Sequence, residues 1–600
     1  MLQRHQDRGP LPASPGEEAG EQPPGAAVEV ASRLLHRTLL PLRDHGLPVD
    51  GARDAARSIG GRGPVGIDAG DERAVQAACG IMLVHGRATG GPRPLTADYV
   101  SAVTGVLAAQ GATACLVARL RGHGGLRSGT SLAQGALLAL TQYLAAATAP
   151  GAVSGAVHGV GLAALTTADE VSVEIETLDP LAWAGFWQEL GVDPRTTGRG
   201  WGPFQSRFGT AVCPLPRELR TALRRTPLRA VRATAARHGV ALAEIGATTT
   251  APVLDAWTLA PADTPRPGPP APRGHRRETS GGPAPLSGLR VVESTRRVQG
   301  PMAGHVLRLL GAEVVRVEPP GGDPMRWLAP MAGDCSARFS ALNTGKSVVE
   351  ADLSTPRGQA AVRELVSGAD VFLHTWAPGK AEGYGLDADD LRSVRPGLVY
   401  ASASGFGGAL GPRPPIGTDY LAQVHGGLAA ALRPADEPPA PSLMTVTDVL
   451  GGLVLAQAAL AGLALREGTG HGCRADSSLL SAAALVPRPA RRTVLSALDA
   501  PLATADGLLH LGARARAHPA AVAAAVGAPD PSAVPDRLRE GSTAGWLDAL
   551  REAGLPSVPV RTDLAATAGD PAFAEAVLPP DAEARHARPA SPWDFARGDR

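Results

Sequence analysis

Asp448 is the residue whose type and position first suggest chemistry. It stands in Thr445-Val-Thr-Asp-Val-Leu-Gly-Gly452, directly ahead of an alanine- and leucine-rich apolar run that reaches Leu465. A carboxylate at the head of a helix accepts hydrogen bonds from free N–H groups and is favoured by the helix dipole, so a cap is the simplest role for it. Asp419, after Pro415-Ile-Gly-Thr418, reads on the same grounds as a turn residue. Among the basic residues only two are lysines, Lys346 and Lys380, although Lys and Arg together number 58. That bias fits a GC-rich coding sequence and draws attention to each lysine that survives. The five cysteines (Cys79, Cys115, Cys213, Cys335, Cys473) are scattered, with no CxxC and no histidine at ligand spacing. They predict no metal site and a reducing compartment. The glycines of Gly405-Phe-Gly-Gly408 and Gly321-Gly322 do not fit GxGxxG, and no Walker A, GxSxG or HExxH pattern occurs.

The elements that must position these residues follow from the wider pattern. With 600 residues, 44% of them hydrophobic, and a formal net charge of +1, the chain predicts a globular protein of several domains. The neutral balance argues against nucleic-acid binding, which needs a concentrated basic surface. The N-terminus has no apolar signal region, and the apolar run from Leu450 falls short of the roughly 20 residues that span a bilayer, so a cytoplasmic, membrane-free protein is expected. Residues 1–27 and 261–285 are rich in proline and polar residues and read as a disordered tail and a linker. They leave an N-terminal block, 28–260, and a C-terminal block, 286–600. The latter opens with short valine-rich strands, Leu289–Glu293, Glu313–Glu318, Ser347–Glu350, Asp370–Leu373 and Leu398–Ala401, alternating with helices of about ten residues. This predicts an α/β fold with a Rossmann-like parallel sheet.

The two blocks share landmarks in the same order. Glu72 falls opposite Asp419, Gln76 opposite Gln423 and Gly80 opposite Gly427. Asp98 pairs with Asp448, lying 22 residues after Gln76 where Asp448 lies 25 after Gln423. Each aspartate is followed by an apolar helix and a Gly-His-Gly turn. The N-terminal block is therefore expected to be a diverged copy, mostly helical, truncated before Gln76 and with Asp98 in a structural role.

In the C-terminal block, PLSGLRVVESTRRVQGPMAGHVLRLLGAEVVRVEPPGGDPMR, NTGKSVVEADLSTPRGQ, ADVFLHTWAPGKAEGYGL, GTDYLAQVHGGL, TVTDVLGG and REGTGHGCRADSSLL run in an order that resembles the class III CoA-transferases, the CaiB/BaiF family. The resemblance covers nearly all of 286–575. It implies a large Rossmann-like domain plus a small domain, with two chains threaded through each other as linked rings. It places Asp448 at the family's catalytic aspartate, attacking an acyl-CoA thioester to form an aspartyl anhydride and then an aspartyl-CoA thioester. Glycines 451 and 452 would let the thioester approach helix N–H groups that stabilise its oxyanion. It further implies that coenzyme A contacts Val298, Gln299, Ala351, Asp352, Leu353, Ser354, Thr375, Trp376, Ala377, Thr418 and Asp419, with Lys346 at the family's basic position. Pro319 and Gly383 stand where relatives often carry phosphate-binding arginines.

The implied substrates are an acyl-CoA and a carboxylic acid, with no permanently bound cofactor and no metal. The implied assembly is a homodimer or, given the second copy, an intramolecular pseudo-dimer, and the composition suggests a bacterial source. Thr418 replaces the histidine of the racemase branch, so acyl transfer is expected over proton abstraction, with His374 and His425 the remaining candidate bases. An isomerase or lyase of the same family is a second expectation. A degenerate acyl-CoA-binding protein is a third, suggested by the missing arginines and the short stretch between Ser478 and Ala505.

Overall fold

The computed structural model describes residues 25–46, 59–152, 160–261 and 284–597. The expected tail and linker fall almost entirely outside the described residues. The C-terminal block builds a seven-stranded sheet in the order Ser347–Glu350, Glu313–Glu318, Arg290–Ser294, Val371–His374, Val399–Ser404, Cys473–Ser478, Trp257–Pro261. The first six are parallel and only the last runs antiparallel. Numbered along the chain, the six read 3-2-1-4-5-6. This doubly wound order reverses direction between Arg290–Ser294 and Val371–His374, and the crevice at such a switch point is where ligands bind. Val291, Val292, Val314, Val315, Val371 and Val399 are buried, as a parallel sheet covered on both faces requires.

Two long helices form the centre of the molecule, Tyr99–Leu120 and Val446–Thr469. Both are apolar enough to cross a membrane by composition, and both are almost wholly buried in the protein. They pack against each other, each using a mid-helix glutamine as a tie. Gln110 Nε2 donates to Leu453 O at 2.7 Å, and Gln457 Nε2 donates to Thr113 Oγ1 at 3.1 Å.

A constant shift of 347 residues carries the N-terminal half onto the C-terminal half from Glu72 through Gln110, and again from the strand Leu126–Ser131 to Cys473–Ser478. The hydrogen bonds repeat as well. Gln76 Nε2 donates to Glu72 and its Oε1 accepts from Leu95 N; Gln423 Nε2 donates to Asp419 and its Oε1 accepts from Ser442 N. Gly80 and Gly427 are both left-handed, at φ 98 and 71. This register corrects the expected pairing of Asp98 with Asp448. Glu72 accepts from Ser101 N and Asp419 from Asp448 N, each across 29 residues, so Ser101 occupies the place of Asp448 and Asp98 that of Thr445.

The truncation is also less complete than the sequence suggested. The helix Gly25–Asp44 packs on Tyr99–Leu120 as Gln299–Leu309 packs on Val446–Thr469. Glycine makes both crossings possible. A Cβ at Gly105 would lie 2.7 Å from Ala27 O and from Val30 Cβ, and one at Gly452 would lie 2.4 Å from Gln299 O and 2.7 Å from Met302 Cβ.

Each half ends in a strand that joins the other half. Trp257–Pro261, closing the N-terminal half, pairs antiparallel with Cys473–Ser478, and Asp594–Arg597, closing the C-terminal half, pairs antiparallel with Leu126–Ser131. The small sheets are exchanged too. Leu165–Thr166, Ser172–Glu176 and Ala241–Glu244 sit beside Asp419. Leu502–Ala503, Leu508–Leu511 and Ser557–Pro559 sit beside Glu72, where Asp71 accepts from Ala513 N at 2.7 Å and Arg73 pairs with Asp499 at 2.8 Å. The small region after Leu485 is thus present as a three-stranded sheet with short helices.

Candidate active site

Asp448 opens the first turn of the buried helix Val446–Thr469 and remains partly exposed. Asp419, buried below it, caps that turn. Its carboxylate accepts from Thr447 N at 2.6 Å, Thr447 Oγ1 at 2.7 Å, Asp448 N at 2.8 Å and Gln423 Nε2 at 2.5 Å. Asp419 therefore does the capping, and the Asp448 carboxyl is left outside that role. Burial raises the Asp419 carboxyl to about 6, and the four donors oppose that rise. Burial, and then the charge of Asp419, push the Asp448 carboxyl well above the ordinary range, with Arg297 opposing and Glu176 adding to the rise.

The amides at the head of this helix are already engaged. Thr447 N and Asp448 N serve Asp419, and Val449 N donates to Thr445 O. They do not form the oxyanion site expected from the sequence. Gly451 and Gly452 instead admit the neighbouring helix, and a Cβ at Gly451 would lie 3.0 Å from Gln299 Nε2. That amide is buried and has no hydrogen-bond partner. Gly451 is one turn beyond Asp448 on the same helix face.

Asp448 faces a cavity of about 120 Å³ bounded by both halves of the chain. Arg297, Val298, Gly417, Thr418, Asp419 and Tyr420 come from the C-terminal half; Glu176, Leu178, Gln205, Arg207 and Phe208 come from the N-terminal half. Arg207 lies between the rings of Phe204 and Tyr420, at 3.7 and 4.4 Å, and pairs with Glu176 at 2.8 Å. Glu174, 3.8 Å from Arg207, is fully buried with neither oxygen hydrogen-bonded, and burial pushes it up to about 8 against the pull of Arg207. The hydroxyls of Thr418 and Tyr420 are also buried without a partner. Tyr143, again from the N-terminal half, accepts from Thr445 N at 3.2 Å and fixes the entry to the Asp448 helix.

The other expected site residues separate into three groups. Val298, Gln299, Thr418 and Asp419 gather around Asp448. Trp376 and Ala377 line an open groove of about 670 Å³ at the carboxyl ends of the central strands, with Thr375 in the same turn. Trp257 and Thr258 of the exchanged strand form part of its wall, and the His374 and Trp376 rings approach to 4.5 Å. Asp255, Glu382, Asp387 and Asp476 outnumber Arg474 there, so the groove is aromatic and polar but not cationic. Ala351, Asp352, Leu353 and Ser354 form the turn after the edge strand, closed by Asp352 accepting from Ser354 N at 3.0 Å, and line neither space.

Lys346 departs from expectation. Its ammonium is fully buried and spends its donors on Glu293 at 2.8 Å, Pro301 O at 2.9 Å and Asn343 at 3.0 Å. It completes a buried ion network with Arg316, Glu293, Glu318 and Asp323 and presents no charge to a ligand.

Neither candidate base reaches Asp448. His374 is buried in the groove and kept neutral, its pKa pushed down to about 3 by burial and then by Arg474. His425 packs edge-on against Phe406.

A pseudo-dimer within one chain was expected, but the residues with which the N-terminal half walls the cavity were not among the expected site residues. A signal existed in Ser172–Glu176, where alternation turns Glu174 and Glu176 to one face, but their partner Arg207 is 31 residues beyond Glu176.

The model of CoA-transferase family III matches residues 56–260 and 286–596, one segment in each half. The chain is 37% identical over 201 residues to succinyl-CoA:glutarate CoA-transferase of Mus musculus, a match covering 33% of this chain and 46% of that protein. It is 38% identical over 205 residues to succinate–glutarate CoA-transferase of Agrobacterium fabrum, covering 33% and 51%. The chain spans about half the length of these curated relatives. A crystal structure of a CaiB/BaiF family protein from Brucella suis aligns with a TM-score of 0.44 at 27% identity, over 50% of this chain and 89% of that one.

Proposed function

The chain belongs to CoA-transferase family III, and from that premise we propose that it transfers coenzyme A from an acyl-CoA thioester to a carboxylic acid, with Asp448 as the nucleophile. The observation that carries this reading is a partly exposed carboxyl, separate from its cap, facing a cavity at the family's aspartate motif. In the proposed cycle ionised Asp448 attacks the thioester carbonyl, the C–S bond breaks and CoA leaves as thiolate. The thiolate attacks the aspartyl carbonyl of the mixed anhydride and releases the donor acid. The acceptor carboxylate attacks the resulting aspartyl-CoA thioester, and the returning thiolate takes the acceptor acyl group, which restores Asp448. Gln299 Nε2, unpaired beside Gly451, is the donor we assign to the oxyanion in these steps. No histidine lines the cavity among the described residues, which favours transfer over proton abstraction next to a thioester. The thioester would reach Asp448 past Val298, with the rest of CoA lying along the carboxyl ends of the strands toward Trp376.

We further assign the N-terminal half, 28–260, the place of a second subunit held in cis. Exchanged end strands, exchanged small sheets and the wall facing Asp448 support that reading. Ser101 at the position of Asp448 leaves one reactive carboxylate per chain. Succinyl-CoA and glutarate, named for the mouse relative, are the first pair to test. Label in the CoA moiety of succinyl-CoA should appear in glutaryl-CoA with the wild-type chain, and Asp448→Asn should lower the rate by at least about 10³-fold. Undiminished exchange in Asp448→Asn would refute the assignment.

A further inference from the structure

Arg297 occupies the turn between the strand Arg290–Ser294 and the helix Gln299–Leu309 with φ 63, a left-handed backbone that a non-glycine residue holds only at a cost. The surroundings enforce it. Thr295 Oγ1 donates to Glu293 at 2.6 Å, Thr295 O accepts from Arg316 at 3.0 Å, and a Cβ on Gly300 would lie 2.3 Å from Thr295 Cβ. Strain of this kind, retained where a glycine would relieve it, brings the Arg297 side chain to the wall of the cavity that holds Asp448.

Among the described residues two cations line that cavity, and they differ in their commitments. Arg207 is bound to Glu176 and to Phe204 O. Arg297 is exposed and makes no hydrogen bond or ion pair with another described residue. With Arg207 paired to Glu176 and Asp448 uncharged as the thioester, Asp419 leaves the cavity unfavourable to an anion unless Arg297 counters it. An incoming carboxylate must nevertheless reach the aspartyl carbonyl. We propose that Arg297 binds the carboxylate of the acceptor acid through its planar pair of N–H donors and directs it onto the aspartyl-CoA thioester. The acceptor oxygen bonds to the aspartyl carbonyl carbon, the C–S bond breaks and CoA leaves as thiolate. The guanidinium acts only as a hydrogen-bond donor and transfers no proton. This assignment rests on the transferase reading given above.

Arg297→Gly tests it, because glycine adopts φ 63 freely and the variant is expected to fold with an unchanged or higher melting temperature. With glutarate as the probe acceptor, its KM should rise about 10- to 100-fold, the range expected for lost hydrogen bonds to a charged group. The KM for succinyl-CoA should change little. Added guanidinium ion should restore part of the loss, and Arg297→Lys should lose less than Arg297→Gly. The donor half-reaction should also move to higher pH, since Asp448 would then face Asp419 and Glu176 with only Arg207, itself paired, in opposition. An unchanged acceptor KM in a folded variant, or a rise confined to the donor KM, would overturn this assignment alone. A wild-type chain that never carries acyl or CoA on Asp448 would overturn the transferase reading, and this assignment with it.

Discussion

Gly452→Ala is a single methyl group, and its consequence can be worked from the helix crossing it enters. The new Cβ would stand 2.4 Å from Gln299 O and 2.7 Å from Met302 Cβ. A carbon–oxygen contact settles at roughly 3.3–3.6 Å, so the helix Gln299–Leu309 must retreat by about 1 Å. Gln299 is its first residue, Val298 its N-cap and Arg297 the turn before it, so the retreat moves one wall of the Asp448 cavity. Overpacking costs about 1–3 kcal/mol, and the better helix propensity of alanine returns about 1 kcal/mol. A displacement of about 1 Å at the reacting centre costs on the order of 10²-fold in rate. The variant should therefore melt a few degrees lower at most, while its transfer rate falls far more than its folded fraction. Gly105→Ala is the internal control. It places a Cβ 2.7 Å from Ala27 O and from Val30 Cβ, a clash of similar kind, in the half that carries Ser101 at the position of Asp448. It should lose comparable stability and keep its rate per folded molecule. Thermal melts alongside CoA transfer by both variants decide the matter. Equal rate losses in the two, or full activity in Gly452→Ala, would refute the idea that this crossing sets the distance between the Gln299 wall and Asp448.

Asp419→Asn keeps the shape of the cap but turns an amide NH2 toward groups that are themselves donors. It should destabilise by about 2–4 kcal/mol. Removing the charge favours ionised Asp448, so the pH at which donor acylation rises should shift downward; an upward shift would contradict the proposed division between cap and nucleophile. Glu174→Gln should stabilise the protein in a pH-dependent way. With its folded pKa raised to about 8 from an ordinary 4.5, Glu174 keeps its proton in the fold while the unfolded chain loses it. The penalty grows by about 1.4 kcal/mol per pH unit across that window, reaching about 3 kcal/mol at pH 7. Melting curves should show a large gain at pH 7 and almost none at pH 4.5, and an equal gain at both would refute the cause. Residues 286–600 expressed alone should aggregate or remain inactive, because the Val446–Thr469 helix would lose Tyr99–Leu120 and the cavity its Glu176–Phe208 wall. A soluble, fully active fragment would contradict the role given to the N-terminal half.

Much of the C-terminal sheet could be read from the chain, because a doubly buried parallel strand has to be a short run of valine and its neighbours, as at Val314–Val317. The repeat was legible through Gln76, Gly80 and the apolar helices, whose spacing is dictated by the same packing in both halves. Its register was not. Matching Asp98 to Asp448 follows residue identity, whereas the hydrogen bonds from Ser101 and Asp448 to their caps fix a pairing three residues away. Lys346 shows the same limit, since nothing in Asn343-Thr-Gly-Lys-Ser347 distinguishes a solvated lysine from one buried against Glu293. The exchanged strand Trp257–Pro261 is too short to reveal its partner, and Arg207 gains meaning only when the fold brings Glu176 and Tyr420 to it. These contacts span long stretches of chain, and local patterns carry no trace of them.

The central claim is that Asp448 becomes covalently acylated, and hydroxylamine trapping measures that directly. The full-length chain is incubated with succinyl-CoA, treated with hydroxylamine, digested and examined by mass spectrometry. The account predicts a hydroxamate on the peptide carrying Asp448, absent from Asp448→Asn and absent from the peptide carrying Asp98 and Ser101. Transfer of CoA to glutarate with no modification at Asp448, or a hydroxamate on another residue, would contradict it.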